Sequence, residues 1–272
     1  MQMKLQTAAV LVIAAVNSAA AHLTPAAEQA FTVYITKLEQ KLDRQHAPGG
    51  SYLATLNGET AAEGRLFSGG TWIEPVDGGT WQAGGALMHH WRAAVLVPGV
   101  APDGMLNLLR NPNGLSRYYA PQVVSSQALP RDSKTSSLIR FKKKKVVTVV
   151  LDAQFEGRNG LTGADRGYSI SRSQHIWQVE DAGTPREHRR PEGDDDGFLW
   201  RLNSYWSFVA TQDGLIIECE AVSLTRSIPL GLGWLISPII ETLPRESLEF
   251  TLKATKNALL ANAQKEGPDA VN

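Results

Sequence analysis

The stretch that decides the fold is GFLWRLNSYWSFVATQDGLIIECEAVSLTRSIP, residues 197–229. Two long β-prone segments flank Gln212-Asp213-Gly214, so this stretch predicts an antiparallel hairpin with a tight turn. In the first segment the even-numbered side chains are large and apolar, whereas the odd-numbered side chains mix polar and apolar types. The hairpin therefore predicts a sheet in which neither face is simply left to solvent.

The chain after the hairpin is predicted to end in a long helix. Pro229 ends the strand, because proline cannot donate to a ladder. Residues 228–240 are apolar but contain two glycines and Pro238, which indicates a broken helix entry. A regular helix is expected from Glu241 or Pro244 to about Ala263, and residues 267–272 are expected to be a disordered tail. Thirteen apolar residues fall short of the roughly 20 that cross a bilayer, which favours a core helix or a lid.

The chain before the hairpin shows helical and then strand-like patterns. Phe31, Ile35, Leu38 and Leu42 recur at helical spacing and predict a helix over residues 25–46. The other expectations upstream of the hairpin are short strands and turns over 51–85, a strand over 86–97, a short helix over 104–109, and further strands up to the hairpin.

The N-terminus has the pattern of an export signal. Lys4 precedes an apolar run over residues 8–16, and Ala19 to Ala21 supply small residues for a signal peptidase. We therefore expect a signal peptide over residues 1–21, cleaved after Ala21, and a secreted or periplasmic protein. A membrane helix is the alternative, but the run is shorter than a span needs. The 272 residues carry 27 basic and 27 acidic side chains, a balance that argues against a nucleic-acid partner.

Three segments carry a resemblance to a known family. The hairpin with its exit SLTRSIP, the helix start PRESLEFTLKATKNAL (residues 244–259) and HHWRAAVLVPGVAPDGMLNLL (residues 89–109) resemble the START-like (SRPBCC, helix-grip) superfamily, and within it secreted bacterial members. The resemblance covers about residues 85–263. It implies an α+β fold in which a curved antiparallel sheet wraps around a long C-terminal helix. Residues 22–84 lie outside it and are expected to be an extension of helix and short strands, packed on the domain formed by residues 85–266.

A cavity between sheet and C-terminal helix would be lined by aromatic and apolar side chains with a few polar groups. The seven tryptophans suit such a lining, although they could equally pack the sheet against the helix. Adjacent His89 and His90 must point to opposite faces of a strand, so they cannot chelate a metal together. Arg201 is expected to pair with Glu218 or Glu220, or to hold a ligand carboxylate. The candidate ligand-binding residues are His89, Trp91, Trp200, Arg201, Tyr205, Trp206, Phe208, Glu218, Trp234, Leu248 and Leu252.

Since the fold hosts carriers, sensors and enzymes, three functions stay open. The first is a carrier for a lipid, fatty acid, isoprenoid or polyketide-like molecule. The second is a cyclase, dehydratase or hydrolase, which would need His89 or His90, Arg201, Tyr205 and Glu218 to converge on one cavity. The third is an envelope interaction protein whose cavity is filled by its own side chains.

No cofactor or metal is expected from the motifs. The sequence lacks a nucleotide-binding glycine motif, and EHRRPEGDDD (residues 187–196) lacks the ligand spacing of a calcium loop, which favours a solvated hairpin loop. The run Lys142–Lys145 is expected to be a polar sheet end. The alternative for this run is weak contact with anionic lipid head groups.

Overall fold

The computed structural model describes residues 21–56, 60–130, 135–144, 148–227 and 233–266, with backbone alone over 233–241. Residues 1–20 of the expected leader (residues 1–21) and the expected tail (residues 267–272) lie outside the described residues. The elements in chain order are β1 (Ala21–His22), α1 (Pro25–Gln45), α2 (Thr60–Phe67), β2 (Thr71–Ala83), β3 (Ala86–Val97), α3 (Pro102–Arg110), α4 (Leu115–Tyr118), β4 (Val123–Leu129), β5 (Thr135–Lys144), β6 (Thr148–Leu161), β7 (Arg166–Glu180), β8 (His188–Arg189), β9 (Asp194–Asp195), β10 (Arg201–Thr211), β11 (Gly214–Arg226) and α5 (Gly233–Glu266).

Nine of the described strands form one antiparallel sheet, in the order β2-β3-β11-β10-β7-β6-β5-β4 with β8 paired to β7. The other two, β1 and β9, pair with each other in a separate two-stranded sheet. β10 pairs with β11 from Thr211↔Gly214 to Arg201↔Leu224, which confirms the predicted hairpin. β3 pairs with β11 along its whole length, so the first strand of the matched region lies beside the last. The terminal helix α5 lies across β3, β2 and β11. A large antiparallel sheet with a long terminal helix across it is the helix-grip α+β arrangement that the resemblance implies.

The face of the sheet that packs on α5, called the helix face here, carries the largest core. Side chains two apart on each strand share this face, because successive residues of a strand point to opposite sides. Its buried apolar side chains come from β3, β10 and β11 below and from α3 and α5 above. They include Val95, Phe208 and Ile217 from the sheet and Leu252 and Leu259 from α5.

The opposite face, called the extension face here, is covered by residues that precede the matched region. α1 buries Phe31, Leu38 and Leu42 against this face, which confirms the helix predicted from their spacing. The helix begins where Pro25 follows Thr24, whose hydroxyl accepts the amide hydrogen of Ala27. Beyond α1, Leu53 and Leu66 cover the end of the same face, against Ala94, Leu96 and Ile216. Both faces of the sheet are therefore buried around β3 and β11.

The segment 51–85 differs from the short strands and turns expected there. It contains the helix Thr60–Phe67 and a single long strand, Thr71–Ala83. The pairing of that strand shifts between Pro75 and Thr80, so Asp77-Gly78-Gly79 forms a bulge rather than a chain reversal. The turn-forming residues Asp77-Gly78-Gly79 lie inside this strand, so the local pattern wrongly indicated a turn between two short strands.

The terminal helix is longer than expected at its start. It begins at Gly233 rather than at Glu241 or Pro244, and it continues through Pro238 and Pro244 although each lacks a backbone donor. Across the described part of the chain, helices of the length and apolar character needed to cross a bilayer are not found.

Candidate functional site

The sheet separates the candidate ligand-binding residues into two groups. Those on the helix face are His89, Trp91, Trp206, Phe208, Leu248 and Leu252. The remaining described candidates, which are Trp200, Arg201, Tyr205 and Glu218, lie on the extension face. The side chain of Trp234 lies outside the described residues.

Four of the candidates therefore do not face the C-terminal helix, and this corrects the sequence-based assignment. Tyr205 and Glu220 are direct cross-strand partners, and on this register the odd residues of β10 share the extension face with the even residues of β11. Trp200 precedes the strand, and its indole turns toward α1 while Nε1 donates to Asp195 Oδ1 at 3.1 Å. The hairpin sequence predicted the alternation of its residues but not which face meets which helix.

The centre of the helix face is a floor of small side chains. Ser204 on β10 pairs with Ser171 on β7 and with Ala221 on β11. Ser223 continues the floor toward β3, where it pairs with His89. All four floor residues (Ser171, Ser204, Ala221 and Ser223) are only half-buried although they sit on interior strands of the sheet. Solvent therefore reaches these side chains.

Apolar clusters border this floor on two sides. On one side lies the α5 core, in which Trp91 and Ala221 pack against buried Trp206 and Leu252. On the other side a second cluster, on β5, β6 and β7, buries Leu151, Ala153, Phe155 and Ile176, with Leu202 packed against it. Tyr119 closes the far end, where its hydroxyl lies 2.7 Å from Thr255 Oγ1 of α5. A hydroxyl-bearing floor between apolar walls suits a largely apolar molecule with a polar group.

His89, beside this floor, is held by two hydroxyls. Its Nδ1 lies 2.9 Å from Thr80 Oγ1, and its Nε2 lies 2.9 Å from Thr225 Oγ1. Burial lowers the pKa of His89 to about 4, so the ring is neutral near pH 7. Both ring nitrogens therefore lie within hydrogen-bond distance of protein hydroxyls.

The extension face carries a buried ionised network beneath α1. Glu220 accepts from His90 Nε2 at 2.8 Å and forms an ion pair with Arg92 Nε at 3.1 Å. Arg92 Nη1 in turn donates to Glu74 Oε1 at 2.7 Å. Burial alone would raise the pKa of Glu220, but the hydrogen bond from His90 and the charge of Arg92 outweigh it and hold that pKa at about 2.

Polar contacts also fasten α1 over this network. Arg201 pairs with Glu28 of α1, with Nε–Oε1 at 3.0 Å and Nη2–Oε2 at 2.9 Å. It also pairs with Glu192, so the expected pairing with Glu218 or Glu220 is wrong. Glu39, on the same helix, accepts two hydrogen bonds from Arg172 and one from the hydroxyl of Tyr205. Ion pairs of this kind fix the helix axis relative to the strands.

Glu218 has a backbone rather than a charged partner. Its carboxylate accepts the amide hydrogens of Ala54 at 3.1 Å and Thr55 at 2.6 Å, and so anchors the loop that follows α1. Burial raises the pKa of Glu218. His89 lies on one face of the sheet, whereas Glu218, Tyr205 and Arg201 lie on the other. The sheet therefore separates His89 from the other acid–base candidates, whereas His90 lies on their face and contacts Glu220.

The two charged segments have distinct surroundings. Lys142 and Lys144 are exposed at the end of β5, Lys143 Nζ lies 3.2 Å from Ser247 Oγ of α5, and Lys145 lies outside the described residues. The segment 187–196 is more ordered than a solvated loop, because Asp195 is buried and accepts from the amide of Gly197 at 2.6 Å. Within the residues described, no cluster of three or more His, Cys, Asp or Glu side chains is arranged to hold a metal ion.

Sequence reasoning missed Tyr34, Glu39, Glu74 and Arg92 as members of the extension-face network. Arg92 in an apolar strand, opposite two acidic positions of the hairpin, is the signal that could have found it, since a buried charge needs a partner. Tyr34 and Glu39 carry no such signal, because their partners lie far away in the sequence. The Tyr34 hydroxyl donates to Asp77 Oδ2 at 2.7 Å and also lies 2.7 Å from His90 Nδ1.

Neither a family model nor a curated protein matches the chain. Similar solved structures include a STAR-related lipid transfer protein fragment from Xanthomonas axonopodis, which is 20% identical with a TM-score of 0.41 and covers 70% of this chain and 98% of that one. A Streptomyces aromatase/cyclase is 13% identical with a TM-score of 0.45, covering 68% and 99%. A START superfamily protein from Mycobacterium smegmatis is 10% identical with a TM-score of 0.42, covering 64% and 97%. Likenesses this distant say nothing about function.

Proposed function

We propose that the protein is an exported carrier that binds a hydrophobic small molecule on the helix face, between the sheet and α5. The ligand class is a lipid, fatty acid, isoprenoid or polyketide-like molecule. The observation that carries the proposal is the half-buried floor of Ser171, Ser204, Ala221 and Ser223 between two apolar clusters. Large side chains at these positions would have closed the space, as they do around Phe208.

The chemistry of the walls and floor supports this ligand class. Contact with the apolar walls would contribute about 25 cal/mol for each Å² of apolar surface removed from water. Hydroxyl groups of the three floor serines can donate to or accept from a carbonyl or hydroxyl of the ligand, which would fix its orientation. The neighbouring His89 is neutral and already satisfied, so it adds no charge to this face.

A size change at the floor tests the proposal. The full chain is expressed with its leader, and the purified protein is examined by native mass spectrometry and by titration with a fluorescent fatty acid. We expect Ser204→Leu to weaken binding at least tenfold, because its side chain would occupy the floor. Ser125→Leu, at an exposed position of β4, is the matched control and should bind as the wild type does.

Two results would overturn the carrier proposal. One is an absence of co-purified apolar molecules together with no thermal shift across a panel of lipids. The other is Ser204→Leu binding the probe as tightly as the control while remaining folded by circular dichroism.

Export and surface contact are separate parts of the proposal. The pattern of residues 1–21 supports cleavage after Ala21, and the mass of the protein recovered from the periplasm or medium tests it. Lys142 and Lys144, exposed at the sheet end, support weak attraction to anionic head groups. Co-sedimentation with vesicles containing phosphatidylserine should fall for a double Lys→Gln variant at these positions if that attraction exists.

A further inference from the structure

A cavity of about 480 Å³ lies on the extension face at the C-terminal end of α1. Its lining includes Lys41, Arg44, Ser51, Ala54, Glu74 and Arg92. Aromatic and branched aliphatic side chains do not occur among its lining residues in the described part of the chain. Such a polar lining suits a water-soluble ligand, unlike the apolar walls of the helix face.

The floor of this cavity is a buried guanidinium. The Arg92 side chain is only 10% exposed. Its Nη1 donates to Glu74 and its Nε lies beside Glu220, as described above. Its remaining nitrogen, Nη2, has no hydrogen-bond partner among the residues that the structure describes. A buried guanidinium with an unused donor at the base of a cavity is placed to bind an anion.

The rim adds positive charge. Lys41 and Arg44 lie on the last turns of α1, and both are exposed. Neither forms an ion pair within the described ranges, although most arginines on this side of the sheet do. Glu74 is the acidic residue of the lining and is paired with Arg92, and Glu220 behind the lining is also paired with Arg92. The lining itself holds the three basic residues Lys41, Arg44 and Arg92 against the one acidic residue Glu74. The lining therefore has an excess of positive charge.

The opposite wall of the cavity is rigidly placed. Glu218 holds the amides of Ala54 and Thr55 from below, and Gln45 Nε2 donates to the carbonyl of Tyr52 at 2.7 Å. These contacts fix residues 52–55 of the segment after α1 without using Lys41 or Arg44. The site is thus built before a ligand arrives, which reduces the ordering cost of binding.

We propose that this cavity binds the oxyanion of a small water-soluble molecule, a carboxylate or a phosphate. Arg92 contacts the anion from the floor, and Lys41 and Arg44 contact it from the rim. The site is independent of the proposed carrier function, since the sheet separates it from the helix face.

Titration calorimetry and amide NMR shifts with inorganic phosphate and with citrate test the site. We expect at least one of them to bind and to shift the amides of residues 50–55. Binding of phosphate alone assigns a phosphoryl ligand, and binding of citrate alone assigns a carboxylate ligand. The double variant Lys41→Gln/Arg44→Gln should weaken binding at least tenfold, with the fold checked by circular dichroism.

The matched control removes two positive charges elsewhere, as Lys37→Gln/Lys253→Gln, both at exposed positions. We expect it to bind the anion as the wild type does. Equal losses in the two double variants would show only overall charge attraction and would overturn the proposal. It would also be overturned if neither anion binds, or if binding persists unchanged in Lys41→Gln/Arg44→Gln.

Discussion

Replacing Glu220 by glutamine should show how much the buried network under α1 contributes to the free energy of unfolding. The Glu220 side chain is 2% exposed and lies between His90 and Arg92. Glutamine keeps the shape of the side chain but removes its charge, so the buried Arg92 loses one of the two carboxylates that pair with it. Removing one partner of a buried ion pair is among the more damaging single changes in a protein interior.

The size of the effect follows from the pKa. The folded-state pKa of Glu220 is about 2, against an ordinary value of 4.5. At roughly 1.4 kcal/mol per unit of pKa, the ionised form stabilises the fold by about 3 kcal/mol. Because the folded pKa is depressed, this stabilisation is present above pH 4.5 and disappears as the pH falls from 4.5 toward 2.

The assay is urea unfolding, followed by tryptophan fluorescence, for the wild type and Glu220→Gln at several pH values from 7 to 2. We expect the variant to be less stable by about 3 kcal/mol at pH 7, and the difference to shrink steadily in acid. Glu249→Gln, at an exposed position of α5, is the matched control and should change stability little at any pH. A difference between wild type and Glu220→Gln that stays constant from pH 5 to pH 2 would refute the reasoning.

Three further predictions concern single positions. Gly167→Ala should lower the free energy of unfolding by about 1–3 kcal/mol, because an added Cβ would meet Phe208 Cε2 at 2.5 Å; an unchanged urea midpoint would contradict this. Cys219, 1% exposed and with a pKa raised by burial, should react with a thiol reagent only after urea unfolding, and rapid reaction of the native protein would be inconsistent with its burial. Tyr34→Phe should cost about 1–3 kcal/mol by removing the hydroxyl that donates to Asp77, whereas a neutral effect in urea unfolding would show that water replaces it.

The elements with strong local periodicity could be predicted from the sequence. The hairpin of β10 and β11, the strand Ala86–Val97 and the helix Pro25–Gln45 all follow from patterns that repeat within a few residues. The helix Thr60–Phe67 has only eight residues and includes a glycine, so its pattern is too short to separate from turns. The strand Thr71–Ala83 could not be predicted either, because the turn-forming residues of its bulge interrupt the strand pattern.

The composition of the candidate sites depended on contacts that no local pattern reveals. Arg201 and Glu28 are 173 positions apart, and either Glu218 or Glu220 was a nearer partner in the sequence. A one-residue change of register would have exchanged the two faces of β10, so the periodicity alone could not place Tyr205. The role of the small residues of the helix-face floor could not be predicted either, because a serine in a strand indicates neither a cavity nor its absence.

Because α1 covers the extension face, the chain cannot be shortened from its N-terminal side beyond this helix without exposing that face. A fragment starting at Ala86, where β3 begins near the start of the resemblance, would expose Val222, Leu224 and the pair His90–Glu220 to water. Such a fragment would have a large exposed apolar surface, and we expect it to aggregate on expression or to require a chaperone. Laboratory versions meant for crystals or ligand screens should therefore retain everything from His22 onward.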